Sequence, residues 1–278
     1  MIAPARARWI GSTIAGALAI PASGAVAAVF ARSCYLDLEQ RIVALVHPDL
    51  GRGPLNVVTP PVGLGLAGLA VGTAVRVEPP EIMIAPDVRI DLSEAQIWNA
   101  RLPSLSAASL HRRGIERIKD VLAGAPPESL ARPAARPARA LEGMDALYAG
   151  LRSGDPATVA AAASRLAGLG PGLTPSGDDL LVGALIAAAL VHPRRAAAVG
   201  GEVLKAAGGR TTRISLAYLE AASRGEASEA WHGLARALDG GSDDAIAEAA
   251  TRAMATGETS GADMLTGFLL ALEAWHGL

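Results

Sequence analysis

Two stretches of this chain repeat one another closely enough to dictate how its C-terminal half packs. Ser176–Ala188 (SGDDLLVGALIAA) and Ser260–Leu272 (SGADMLTGFLLAL) carry the same residue at seven matched offsets: Ser176/Ser260, Gly177/Gly261, Asp179/Asp263, Leu181/Leu265, Gly183/Gly267, Leu185/Leu269 and Ala187/Ala271. A threonine stands ahead of each, as Thr174 and Thr259. The Asp, Gly and Ala recur every fourth residue, so on a helix they share one face. Glycine inside a helix costs about 1 kcal/mol relative to alanine, so keeping it twice needs a reason. Close backbone approach supplies one for Gly183 and Gly267. The pattern therefore predicts two helices that pack on each other, or on a common neighbour, through this small-residue face. Gly177 and Gly261 sit beside the helix starts instead, and are expected to let a ligand approach the backbone.

The texture around the repeat is helical. His111–Leu122, Leu141–Leu151, Pro156–Leu166, Asp178–Val191, Ala196–Ala206, Thr212–Ser223, Ser228–Leu238, Ser242–Ala255 and Asp263–Trp275 read as helices, and Asp155-Pro156 is a cap followed by a favoured first residue. The Ala/Pro/Arg-rich run Gly124–Arg139 reads as a loop or linker. Before Pro103 the texture is strand. Ala25–Leu38, Arg41–Val46, Leu55–Thr59, Ala74–Val77, Glu81–Ile84 and Val88–Leu92 are apolar or β-branched runs divided by turns, Pro and Gly. Strand following strand without helices between them argues for antiparallel pairing. The expectation is an α+β protein: a mainly antiparallel β part with a short N-terminal helix over residues 1–103, then an α-helical part over 104–278.

Composition excludes several classes. Of 278 residues 51% are hydrophobic and the formal net charge is −2, which argues against global disorder. Basic residues are almost all Arg, with lysine only at Lys119 and Lys205, and no basic face is interleaved with aromatics, so no nucleic-acid partner is expected. The single Cys34 excludes an internal disulfide framework and fits a reducing compartment. In its strand-like setting it reads as a small buried hydrophobe rather than a nucleophile. Arg6 and Arg8 ahead of Trp9–Ile20, with Ala25 and Ala27 following, resemble a secretory signal. Gly11, Ser12, Thr13 and Gly16 dilute that apolar run, so an amphipathic first helix in a cytoplasmic protein is preferred. No run reaches the roughly 20 apolar residues of a membrane span, and Leu180–Val191 reads as a buried helix.

Candidate chemistry concentrates at the helix starts. Gly63–Gly68 matches G-x-G-x-x-G, but Pro60-Pro61 precede it and strand-like Ala74–Val77 follow, so no dinucleotide-binding helix opens there. The segment Gly168–Leu185 (GLGPGLTPSGDDLLVGAL) is more informative. Gly168, Gly170 and Gly172 form a pliable loop, Thr174-Pro175 reads as cap and first helical residue, and Ser176 with Asp179 fits a capping box. Backbone N–H groups at such a start bind phosphate or carboxylate. Asp178, Asp179 and Asp263 either satisfy helix dipoles, accept hydrogen bonds from a ligand NH2, or hold a hard cation such as Mg2+; no cofactor is otherwise expected. In Gly208–Ala222, Thr211 or Thr212 caps a helix whose first turn carries Arg213, where the dipole disfavours a cation. An anionic ligand or a salt bridge to Asp178 or Asp263 would each account for it. The candidate site is therefore Gly170, Gly172, Thr174, Ser176, Gly177, Asp178, Asp179, Thr211, Thr212, Arg213, Ser260, Gly261 and Asp263, with no catalytic residue singled out. The five histidines have no metal-ligand spacing.

At GLGPGLTPSGDD, TTRIS and TSGADMLTGFL, and in the run from Leu50 to Leu55, the sequence resembles the AllH family, whose best-known member is a subunit of bacterial oxamate carbamoyltransferase. The resemblance implies a transferase role in ureide or purine nitrogen catabolism, on oxalurate, oxamate, phosphate and carbamoyl phosphate. It also implies partner subunits and a small anionic metabolite as ligand. Whether the chain is itself an enzyme stays open. A non-catalytic binding or assembly subunit and a stand-alone enzyme on a related metabolite are the alternatives.

Overall fold

The computed structural model describes residues 4–39, 41–60, 68–105 and 112–276. The chain divides into two compact units, Met1–Ala100 and Arg101–Leu278. Most of the Gly63–Gly68 run, and His111, lie outside the described residues.

The first unit holds strands β1 (Ala5–Arg6), β2 (Trp9–Gly11), β3 (Ala22–Val29), β4 (Ser33–Leu38), β5 (Arg41–Val46), β6 (Asn56–Val58), β7 (Ala74–Glu78), β8 (Glu81–Ile84), β9 (Val88–Asp91) and β10 (Gln96–Trp98), with helix α1 (Ser12–Leu18) after β2. Their order is β1-β9-β8-β7-β3-β4-β5-β6-β2-β10. β1 sits at one edge and β2 beside the other, yet only Ala7 and Arg8 separate them. The sheet must therefore curl until its edges meet. Ala7 N–H donates to Asp91 O (2.9 Å) and Arg8 N–H to Val58 O (2.8 Å), so one extended segment hands over from β9 to β6 and closes the wall. Closure removes the exposed edges that invite mispairing. Inside lie Val26, Leu36, Val75, Val77, Ile82, Ile84 and Ile90, each at most 1% exposed.

Pairing is mainly antiparallel, as expected: β1 with β9, β10 with β2, and β5 with β6 run parallel, and the other six neighbouring pairs antiparallel. Two expectations need correction here. The expected helix over Trp9–Ile20 shortens to α1, since Trp9 and Ile10 are claimed by Val58 and Val57. Ala25–Leu38 is a hairpin rather than one strand, folding back at Phe30, whose N–H donates to Ser33 O (2.8 Å).

The second unit contains α2 (Arg112–Leu122), α3 (Ala138–Ser153), α4 (Pro156–Leu166), α5 (Ser176–Val191), α6 (Pro193–Ala207), α7 (Arg213–Ser223), α8 (Glu229–Leu238), α9 (Asp243–Met254) and α10 (Ser260–His276). Local chemistry sets several boundaries. Asp155 caps α4 through the N–H groups of Ala157 and Thr158, Thr212 caps α7 through Ser215, and Ser242 caps α9 through Ala245. Helix α5 is buried almost all round, from Gly177 to Leu190. It packs on α4, α6, α7 and most extensively α10. An apolar helix without a polar face belongs at such a centre. No helix among the described residues is long and apolar enough to cross a membrane.

Candidate functional site

Helices α5 and α10 meet as the repeat requires. A Cβ on Gly183 would lie 1.8 Å from Met264 O, and one on Gly267 would lie 1.8 Å from Leu180 O. Leu180 and Met264 are themselves equivalent positions of the two copies, so the contact is reciprocal and the pair has local two-fold pseudosymmetry. The symmetry extends to the helix starts. The Ser260 hydroxyl opposes the burial-driven rise of the Asp179 carboxyl, and the equivalent Ser176 hydroxyl opposes that of Asp263. Thr174 and Ser260 hydroxyls lie 3.1 Å apart and join the two starts directly.

A third helix start closes on the same place. The Thr211 hydroxyl donates to Asp178 Oδ2, Gly168 N–H donates to Asp178 Oδ1 (3.0 Å), and the Thr212 hydroxyl donates to Leu173 O (2.5 Å). The loop Gly168–Pro175 is in this way pinned to the start of α7 on one side and of α10 on the other. Gly168, Gly170 and Gly172 adopt φ of 70°, 115° and 92°, a left-handed backbone that side chains resist. Gly170 and Gly172 are exposed, as is Arg213 at the first position of α7. Thr174, Ser176, Thr211, Thr212 and Ser260 are half-buried between them. The three segments picked out in the sequence therefore form one cluster.

The interior of the cluster differs from expectation in two respects. Gly177 and Gly261 are needed by the protein's own backbone. A Cβ on Gly177 would lie 2.1 Å from Leu166 O at the end of α4, and one on Gly261 2.4 Å from Ala253 O in α9. Their N–H groups are also spent, on Leu169 O (2.8 Å) and Thr256 O (2.9 Å). At the start of α5, Pro175 rather than Thr174 occupies the cap position and Ser176 is the first helical residue, which leaves the Thr174 hydroxyl to Ser260.

The carboxyls lie beneath this polar rim. Asp178, Asp179 and Asp263 are 1%, 4% and 0% exposed. Burial raises all three above the ordinary carboxylate range. Asp263 is opposed by donors: Ser129 Oγ–H and Leu130 N–H both give it 2.7 Å hydrogen bonds at Oδ1. Asp179 is pushed furthest, by burial and then by the charges of Asp263 and Asp178, against the Ser260 and Thr174 hydroxyls. Asp179 Oδ2 and Asp263 Oδ2 have no hydrogen-bond partner. Ser129 and Leu130 were not legible as partners, because they lie in a run whose composition reads only as linker. Among the described residues no three His, Cys, Asp or Glu side chains gather where they could hold a metal ion.

A cleft of about 300 Å3 lies between α2, α3 and α10 and contains Lys119 and Arg136. Lys119 pairs with Glu116 and Glu273, each at 3.1 Å, and Arg136 donates to Leu130 O and Ala131 O. Cys34 is fully buried in β4, and burial pushes its thiol up to about 11, which opposes thiolate chemistry.

A curled mixed-sheet unit followed by a helical unit built on a repeated helix start defines a two-part α+β protein with one clustered polar site. Two family models match the chain, the AllH family N-terminal domain over residues 6–97 and AllH, oxamate carbamoyltransferase subunit AllH, over residues 166–272. The chain belongs to the AllH family. No curated protein and no solved structure matches it.

Proposed function

We propose that this chain is the subunit of a carbamoyltransferase-type complex that holds a small ligand bearing both an anionic oxygen and an amide group. One observation carries the reading: the starts of α5, α7 and α10 converge on a single exposed glycine loop, with Arg213 at the first position of α7. Each helix start contributes roughly +0.5 of a charge, and an arginine adds a fork that fits carboxylate or phosphate. The buried carboxyls and half-buried hydroxyls supply acceptors for NH2. Oxamate, oxalurate and carbamoyl phosphate share these features. Such a site promotes carbamoyl transfer by positioning and by stabilising oxyanions, without a covalent nucleophile or a resident cofactor. A hetero-oligomer in the bacterial cytoplasm is part of the same proposal.

One observation favours a second reading, a non-catalytic assembly subunit: the N–H groups of Gly177 and Gly261 are already bonded within the chain, so fewer donors face a ligand. Thermal-shift titration of the purified chain with oxamate, oxalurate, phosphate and carbamoyl phosphate, with and without Mg2+, separates the two. A native-state ligand at about 100 times Kd adds ~2.7 kcal/mol of stability. A shift that is lost in Arg213→Ala, with the unliganded melting temperature preserved, supports the pocket. Absence of any shift, together with co-elution with a partner chain, supports the assembly role. A shift that appears only with Mg2+ assigns the carboxyls a cation.

A further inference from the structure

Asp179 and Asp263 occupy equivalent places on a seam whose geometry the glycines fix. Each stands four residues ahead of the glycine at the crossing, Gly183 in α5 and Gly267 in α10. It therefore lies on the same helix face, one turn or about 6 Å nearer the helix start. The backbones touch at those glycines, where an added Cβ would lie 1.8 Å from the carbonyl of Met264 or Leu180. Nearer the starts, the Thr174 and Ser260 hydroxyls lie 3.1 Å apart. Two carboxyls on facing sides between these contacts share one notch. It is dry, for the two residues are 4% and 0% exposed.

In both, Oδ2 is buried and has no hydrogen-bond partner. Asp178 differs, with Oδ1 taken by Gly168 N–H (3.0 Å) and Oδ2 by the Thr211 hydroxyl. Asp263 Oδ1 is likewise taken, by Ser129 and Leu130. The unsatisfied carboxyl oxygens are thus one from each helix, related by the local two-fold. An anionic oxygen without a donor in a dry interior is costly, and two in one notch also repel. The charges acting on Asp179 are that of Asp263 and then that of Asp178. From the other elements packed around the seam, Asp145 of α3, Arg165 of α4, Lys205 of α6, Arg213 of α7 and Arg252 of α9 are exposed, as is Glu258 ahead of α10. Lys119 of α2 pairs with Glu116 and Glu273. A single proton answers both costs: it makes one carboxyl a donor and the other its acceptor, and leaves one negative charge at two helix N-termini.

We infer that Asp179 and Asp263 hold one proton between them, and that this proton locks the starts of α5 and α10 together. Its loss puts two anions into the notch and drives the starts apart. The titration belongs to the pair rather than to either residue. No ligand is needed, so the inference goes beyond the proposed function and stands or falls separately from the pocket.

The test counts protons in the full chain, with EDTA present. The slope of stability in denaturant against pH gives the protons bound by the folded state beyond those of the unfolded one, and histidines cancel when variants are compared. At its maximum between pH 5 and 8, the wild-type count should exceed that of Asp179→Asn by one, that of Asp263→Asn by one, and that of the double variant also by one. The carboxyl left in each single variant is ionised, because the new amide is a fixed donor. A double variant lower by two protons means two independent neutral acids, and no difference means two anions; either overturns the inference. Aspartate 13C titration of the wild type needs no variant: two linked steps at least about one pH unit apart are expected, and two coincident steps overturn it. Amide hydrogen exchange reads the lock. Between pH 5 and 9, protection in the first turns of α5 and α10, corrected for intrinsic rate, should fall at least about tenfold in the wild type and less than about threefold in Asp179→Asn. An equal fall in both overturns the lock.

Discussion

Replacing Gly183 with alanine tests the central packing contact by a substitution that normally stabilises a helix. Ala is favoured over Gly by about 1 kcal/mol in a helix interior. Here the added methyl would stand 1.8 Å from Met264 O, where about 3.5 Å is the closest comfortable separation. The obstacle is backbone, which no rotamer change relieves, so α5 and α10 must part by about 1.5 Å or more along their contact. Overpacking of this kind costs typically ~1–3 kcal/mol and occasionally more, and the opened seam forfeits contacts of a wholly buried helix. The net expectation is a loss of about 2–3 kcal/mol, or roughly 5–10 °C in melting temperature for a unit of this size. Gly267→Ala, against Leu180 O at the same 1.8 Å, should match it. Gly201→Ala in α6, with nothing within 4 Å of the new Cβ, should instead gain about 0.5–1 kcal/mol. The assay is thermal unfolding of the four proteins followed by circular dichroism. Met264→Ala should not rescue Gly183→Ala, because the clash is with a carbonyl. If Gly183→Ala is as stable as Gly201→Ala, the reciprocal close approach is wrong.

Three further outcomes are expected. Because burial raises Asp179 above its unfolded value of about 3.9, the folded state binds more protons between the two values. That stabilising contribution is complete below the unfolded value and is lost as pH rises through the folded one, so Asp179→Asn should exceed wild type in melting temperature at pH 8 by more than at pH 5; a constant difference would mean that Asp179 does not titrate there. Thr212→Ala removes both the cap on Ser215 N–H (3.0 Å) and the bond to Leu173 O (2.5 Å), and should cost more than Ser242→Ala, which removes a cap alone at about 1 kcal/mol. Equal losses in denaturant titration would show that the tie to the glycine loop contributes nothing. With its thiol pushed up to about 11, Cys34 should be thiolate in only about 1 molecule in 1000 at pH 8 and resist a thiol reagent until the first unit unfolds; rapid labelling of native protein would contradict that burial.

Much of the helical half was legible because its determinants are local. Asp155-Pro156, Thr212 and Ser242 satisfy N–H groups two or three residues away, so the starts of α4, α7 and α9 can be read from a few adjacent letters. The packing of α5 on α10 was legible for another reason: the small-residue face is written twice, and a repeated cost of about 1 kcal/mol implies a repeated contact. Family membership rests on matches over residues 6–97 and 166–272, the second of which contains these motif segments.

Tertiary structure decided what depends on partners far along the chain. Gly177 answers to the Leu166 carbonyl and Gly261 to that of Ala253, neighbours brought in by chain reversals that a local pattern does not encode. Asp263 is held by Ser129 and Leu130, more than 130 positions away, from a segment that composition marks only as loop. The three parallel pairs of the sheet likewise join strands that alternating apolar runs cannot announce as neighbours, because hydrophobic period specifies which face is buried and leaves the identity of the neighbouring strand open. The sequence alone determined the capped starts of α4, α7 and α9 and the small-residue face that α5 and α10 share. The fold decided which carboxyl has donors and which has none, because a hydrogen-bond partner is a matter of position in space.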